Sequence, residues 1–276
     1  MSSNPSSSPT VTHEVSIEVD TQSEIKCVMA LDQGTQSTRA ILYDVTNWQA
    51  ISSHQLSHAQ IMPQAGWVEH DAEEIFERAT SCIEAALSAA KSTCAKPVSV
   101  QALGITNQRE TTVVWDKKTG KPLHNAVVWL DLRTAELCKE LEANLGSKDY
   151  FRATCGLPIS TYFSAMKLRW LLDNVPAVRA AAEEGNAMFG TIDTWLLYKF
   201  TGGSQGARPL VVQISSILLG GLESSRRPEH HPCEWAEIVR SKADHSHVSC
   251  GWSRGAIAAQ VSLGKFTLAS DQAECT

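Results

Sequence analysis

Hydrophobic and polar positions divide the first two hundred residues into short alternating runs followed by longer periodic ones. Cys27-Val28-Met29-Ala30-Leu31 and Ala40-Ile41-Leu42-Tyr43 are apolar, and Asp32-Gln33-Gly34-Thr35-Gln36-Ser37-Thr38 lies between them. Two such runs around a glycine and hydroxyl residues predict a β-hairpin whose tip spans residues 32–38. From Asp71 the period lengthens. Asp71 and Glu74 form a capping pair, and Ile75, Ala79, Ile83, Ala86, Leu87 and Ala90 recur at helical spacing. Pro97 precedes "VSVQALGIT", an apolar run that reads as a buried strand and ends in polar Thr106 and Asn107. "TTVVWDKKTGKPLHNAVVW" predicts two strands around the turn Lys117-Lys118-Thr119-Gly120. Leu137, Leu141 and Leu145 mark one face of a helix stopped by Gly146. Further helices are predicted over 164–174, over 176–185 with Pro176 at the first position, and over 193–200. Early strands followed by helices define an α/β class with a mixed sheet.

Composition narrows the function classes. The chain has 276 residues, 43% hydrophobic and 20% charged, with a net charge of −6. That is an ordinary globular balance with no basic footprint, so nucleic acid is excluded as the expected partner. No apolar run reaches membrane-spanning length, and no membrane partner is expected. The eight cysteines include no C-x-x-C pair, which predicts reduced, mostly buried thiols and a cytoplasmic setting. Residues 1–26 are rich in Ser and Pro, with four acids and one Lys, and lack the pattern of a secretory or mitochondrial leader. They are expected to be a disordered leader, with a weak strand pattern over 15–19. After Gly203 the periodicity fades, and residues 204–276 read as a divergent, poorly ordered tail.

Two stretches carry candidate chemistry. A tip holding hydroxyls and backbone N–H groups in one concavity suits a phosphate, while Asp, Gly, Ser and Thr also build plain turns. In "TNQRE", Arg109 and Glu110 stand at a strand end. An adjacent donor cation and acceptor carboxylate suit a polyol, and the same pair also occurs as a surface ion pair without a role. "DKKTGKP" lacks the G-x-x-x-x-G-K-[ST] pattern and is a turn.

Five stretches in order, "ALDQGTQSTRAILYD", "QAGWVEHDAEEI", "ALGITNQRETTVVWDKKTGKPLHNAVVW", "CGLPISTYFSAMKLRWLLDN" and "FGTIDTWLLYKFTGG", resemble the glycerol kinases of the FGGY carbohydrate kinase family over residues 27–203. The resemblance implies an actin-like, ribonuclease-H-like ATPase domain. It also implies ATP-dependent phosphorylation of glycerol with Mg²⁺ on the nucleotide phosphates. It places Asp32, Thr35, Gln36, Ser37 and Arg39 at ATP, with Asp32 at the metal. Gln36 stands where relatives usually carry a second small hydroxyl residue. Arg109 and Glu110 would hold glycerol, Trp129 would pack on its carbon skeleton, and the Tyr162 hydroxyl would reach a substrate oxygen. Leu130 and Leu132 follow Trp129 where many relatives are polar. Trp67, Glu69, His70, Trp115, Trp170 and Trp195 read as structural.

The family's general base is an aspartate in a "GDQ" turn of a second domain, and "KFTGG" is followed here by unrelated sequence. A truncated product of splicing or frameshift is the expectation, with activity of this chain alone compromised. Partners would be glycerol and ATP, with a homo-oligomer or a full-length kinase subunit as a docking partner for a non-catalytic product. Asp271-Gln272 echoes the base without its flanks, so Asp271 is not assigned to catalysis. His230, His231, Cys233, His245, His247 and Cys250 fit no zinc spacing.

Overall fold

In the computed structural model the described residues are 24–205. Strand β1 (Ile25–Gln33) and strand β2 (Ser37–Asp44) form the expected hairpin, with Asp32 opposite Arg39 and Gln33 opposite Thr38. The ladder runs further than the apolar residues, so the tip shrinks from 32–38 to Gly34, Thr35 and Gln36. Gly34 N donates to Ser37 O across it at 2.9 Å. Polar residues within a strand still alternate between faces, which turns Gln33 and Thr38 inward and leaves Asp32 and Arg39 exposed.

Strand β3 (Ala50–Ser57), which the sequence pattern did not predict, pairs antiparallel with β2. Next in the chain come β4 (Glu69–His70) and helix α1 (Ala72–Thr93). The Asp71 carboxylate caps α1, accepting from the N–H groups of Glu73 and Glu74. Glu74 turns to Arg78 instead of closing a capping box. Strand β5 (Val98–Asn107) pairs parallel with β1, giving a mixed first sheet in the order β3-β2-β1-β5. The helix lays Ile75, Ala79, Cys82, Ile83, Ala86 and Ala90 on Cys27, Met29, Leu31, Ala40 and Leu42 to form the main core. β5 departs from its buried reading. Among the described residues it is an edge of the sheet, with Val98, Val100, Leu103 and Ile105 half-buried against the core and Gln101, Gly104 and Thr106 exposed.

Strands β6 (Thr112–Asp116) and β7 (Ala126–Val127) flank the predicted turn at Gly120. β7 has only two residues, and β6 pairs mainly with a strand the sequence did not announce, β8 (Ala187–Thr191). The second sheet has the order β4-β7-β6-β8. The helices are α2 (Ala135–Leu145), α3 (Arg152–Cys155), α4 (Ser164–Asn174), α5 (Pro176–Glu183) and α6 (Ile192–Phe200). Gly146 ends α2 in the left-handed conformation at φ 77°, and Pro176 opens α5, as their positions predict. Cys27, Cys82, Cys94 and Cys138 are free thiols. The strand pattern at 15–19, Asp271, and the histidine and cysteine group of the tail lie outside the described residues.

Candidate functional site

Strand registers assemble the first half of the site. Thr106, Asp32, Arg39 and Gln55 stand side by side across the four strands, exposed on the face away from α1. Gln55 joins two of the predicted residues: Arg39 Nε donates to Gln55 Oε1 at 2.9 Å, and Gln55 Nε2 donates to Ser37 Oγ at 2.8 Å. This residue escaped the sequence reading because only the β2–β3 register brings it there.

The tip is held from below by buried amides and imidazoles. Thr35 O lies 3.0 Å from His58 Nε2, and Gln36 O accepts from His58 N at 3.3 Å. Gln33 Nε2 donates to Gly34 O at 2.8 Å, while Gln108 Nε2 reaches Gln33 Oε1 at 3.1 Å and His70 Nδ1 at 3.2 Å. Burial holds both imidazoles below the usual histidine range, His70 at about 4, so at neutral pH the network under the tip is uncharged. The carbonyls of residues 34–36 are thereby engaged inside, whereas the N–H groups of Thr35 and Gln36 donate to nothing among the described residues.

The second half sits beyond the end of β5. Arg109 is exposed and makes no ion pair with Glu110, although the two are adjacent. Glu110 is 2% exposed and adopts φ 71°, a left-handed conformation uncommon for a residue with a Cβ. Its carboxylate Oε2 accepts from Ser164 N at 2.9 Å and Ser164 Oγ at 2.8 Å, at the N-terminus of α4. Lys167, one turn further on, is fully buried and donates to Thr161 O at 2.8 Å and Tyr162 O at 2.5 Å. Burial lowers its pKa to about 8, against the raising effect of the Glu110 carboxylate. Tyr162 stands edge-on to Trp129 with ring centroids 5.8 Å apart.

Trp129 connects the halves. Its indole Nε1 donates to Thr35 Oγ1 at 2.9 Å, and its backbone N donates to Thr111 Oγ1 at 3.2 Å. Behind it lies a buried ionic cluster: Arg133 bonds both oxygens of Asp131 and Glu69 Oε1, and its guanidinium lies 4.1 Å from the Trp67 ring centre and 4.8 Å from that of Trp170. Trp67 and Glu69 of "GWVEHD" and Trp170 thus meet in one buttress, while His70 belongs to the network under the tip. Leu130 and Leu132 are exposed. A cavity of about 500 Å³ lined by Asp71, Glu73, Lys121, His124 and Asn125 contains none of the predicted site residues. Among the described residues no three His, Cys, Asp or Glu side chains gather as a metal cluster.

The mixed sheet with its hairpin and flanking helices is the actin-like, ribonuclease-H-like build. Residues 27–216 match the N-terminal domain of the FGGY family of carbohydrate kinases, and the chain belongs to that family. Among curated relatives, the glycerol kinase of Arabidopsis thaliana is 52% identical over 179 residues, covering 64% of this chain and 34% of the relative. That of Roseiflexus sp. (strain RS-1) is 50% identical over 201 residues, covering 72% and 39%. The Plasmodium falciparum glycerol kinase solved with ADP superposes with a TM-score of 0.62 at 37% identity, covering 65% of this chain and 35% of that one. A xylulose kinase from Rhodospirillum rubrum, 23% identical with a TM-score of 0.56, shares the fold. The chain spans between about a third and two fifths of the length of these glycerol kinases.

Proposed function

We propose that this chain supplies the polyol-binding wall and the first phosphate loop of an ATP:glycerol phosphotransferase. The observation that carries the reading is the Trp129–Thr35 hydrogen bond, which seats the wall directly against the loop. Phosphoryl transfer is catalysed mainly by positioning and by donors aimed at the equatorial oxygens. The N–H groups of Thr35 and Gln36, the Ser37 hydroxyl and the Arg39 guanidinium are donors of that kind. Asp32 offers a lone exposed carboxylate beside them, which fits Mg²⁺, a cation held by one or two carboxylates together with nucleotide phosphates. The ion would neutralise phosphate charge there.

On the other side, Arg109 donates to a glycerol oxygen, Glu110 accepts from a glycerol hydroxyl, Trp129 covers the carbon chain and Tyr162 bonds a further hydroxyl. A buried carboxylate that requires a donor selects hydroxyl-bearing substrates strongly. Glycerol, rather than a sugar, is supported by the 50–52% identity to proteins named glycerol kinases. The resemblance puts the general base outside residues 27–203, so none of these side chains is given that role.

The test is ATP-dependent formation of glycerol 3-phosphate by the purified chain, with Arg109→Ala as control, alongside calorimetric titration of glycerol and of ADP. Product that disappears in the control makes the chain a working kinase. Glycerol and ADP binding without product leaves the two half-sites standing without turnover. Binding of neither ligand by a folded sample overturns the reading.

A further inference from the structure

The first turn of α4 holds both deep walls of the polyol side, and we infer that Ser164 is the positioning residue that orients the Glu110 carboxylate for polyol selection. The inference rests on the function proposed above.

Glu110 is a long way from α4 in sequence and has few local constraints of its own. It follows the end of β5 in a left-handed conformation, where a side chain has no strand neighbours to lock it. What fixes it is α4. The residue at the N-cap position, Phe163, offers no side-chain oxygen, and the orphan N–H of Ser164 is instead satisfied by Glu110 Oε2. The Ser164 hydroxyl adds a second donor to the same oxygen. Two donors on Oε2 fix the rotation of the carboxylate plane and leave Oε1 without a hydrogen bond among the described residues, as the acceptor for a substrate hydroxyl. A carboxylate at a helix N-terminus is also favoured by the helix dipole.

The same turn governs Tyr162. Lys167, three residues after Ser164 and on the same helix face, clamps the carbonyls of Thr161 and Tyr162. Ser164 and Lys167 thus set the spacing between the carboxylate and the aromatic wall formed by Tyr162 and Trp129. Ser164 is fully buried and contacts no exposed surface, so its hydroxyl serves Glu110 alone.

The experiment compares wild type, Ser164→Ala and Ser164→Thr by calorimetric titration with glycerol and, separately, with ADP. Ser164→Ala keeps the backbone donor and removes the hydroxyl donor. It is expected to weaken glycerol binding by roughly tenfold, the loss of one hydrogen bond to a charged acceptor, with ADP affinity unchanged. Ser164→Thr restores the donor and is expected to restore glycerol binding. A merely structural role would lower the melting temperature and leave the ratio of the two affinities alone. Should Ser164→Ala fail to fold, Ser164→Cys keeps the volume with a weak donor and gives the same comparison. Unchanged glycerol affinity in folded Ser164→Ala, or in folded Ser164→Cys where Ser164→Ala does not fold, overturns the inference while leaving the proposed function intact. Wild type that binds ADP and no glycerol overturns the polyol reading itself, and the inference with it.

Discussion

The indole N–H of Trp129 is bonded to the hydroxyl of Thr35, a residue 94 positions earlier in the chain. The bond joins the tip of the β1–β2 hairpin to the loop after β7, tying the proposed phosphate loop to the proposed polyol wall. Thr35→Val keeps the shape and removes the acceptor. A half-buried N–H left unpaired costs about 1–2 kcal/mol, which should appear as a lower melting temperature. Thr35→Ser keeps the oxygen and should melt close to wild type.

Arg133 stands between two carboxylates and two indole rings with its side chain fully buried. Arg133→Met retains much of the volume but leaves Glu69 and Asp131 as adjacent buried charges. Urea unfolding followed by circular dichroism should show a loss of about 3–5 kcal/mol.

The imidazole of His70 predicts an acid limit. Burial depresses its pKa from 6.5 to about 4, so the unfolded chain binds a proton that the folded chain refuses between those values. Stability from this group is complete above pH 6.5 and declines as pH falls toward 4, by about 3 kcal/mol in all. Melting curves at pH 7, 6, 5 and 4 should show the decline, and His70→Gln should flatten it.

Gln55 is exposed and its removal should scarcely alter folding, within about 0.5 kcal/mol. It nonetheless holds Ser37 and Arg39 in place. Gln55→Leu is therefore expected to weaken ADP binding roughly fivefold with little change in glycerol binding, as measured by titration of each ligand.

The hairpin, α1, α2 and α5 were legible because each carries its own signal: paired apolar runs around a glycine, a capping aspartate, a stopping glycine or an opening proline. β3 was not, since "AISSHQLS" has polar residues on both faces and is a strand because β2 offers it a partner. β8 was hidden by Gly190 and by running straight into α6. For the candidate site, Arg109, Glu110, Trp129 and Tyr162 stood out through the family resemblance; of these Trp129 bonds Thr35 of the tip and Tyr162 stands against Trp129. Gln55 and Ser164 did not, because each matters only through a partner distant in sequence. The hairpin tip was read too wide, as its flanking polar residues belong to the ladder.

Among the described residues, β5 has hydrogen-bonded neighbours along one side only. The ladder is irregular at Gln101, and from Ala102 to Asn107 every second amide is turned toward β1 while the intervening ones point outward past the end of the sheet. Deuterium should therefore enter this strand in two waves, fast at the outward positions and slow at those shared with β1, drawing the sheet's boundary on a single strand at alternate residues.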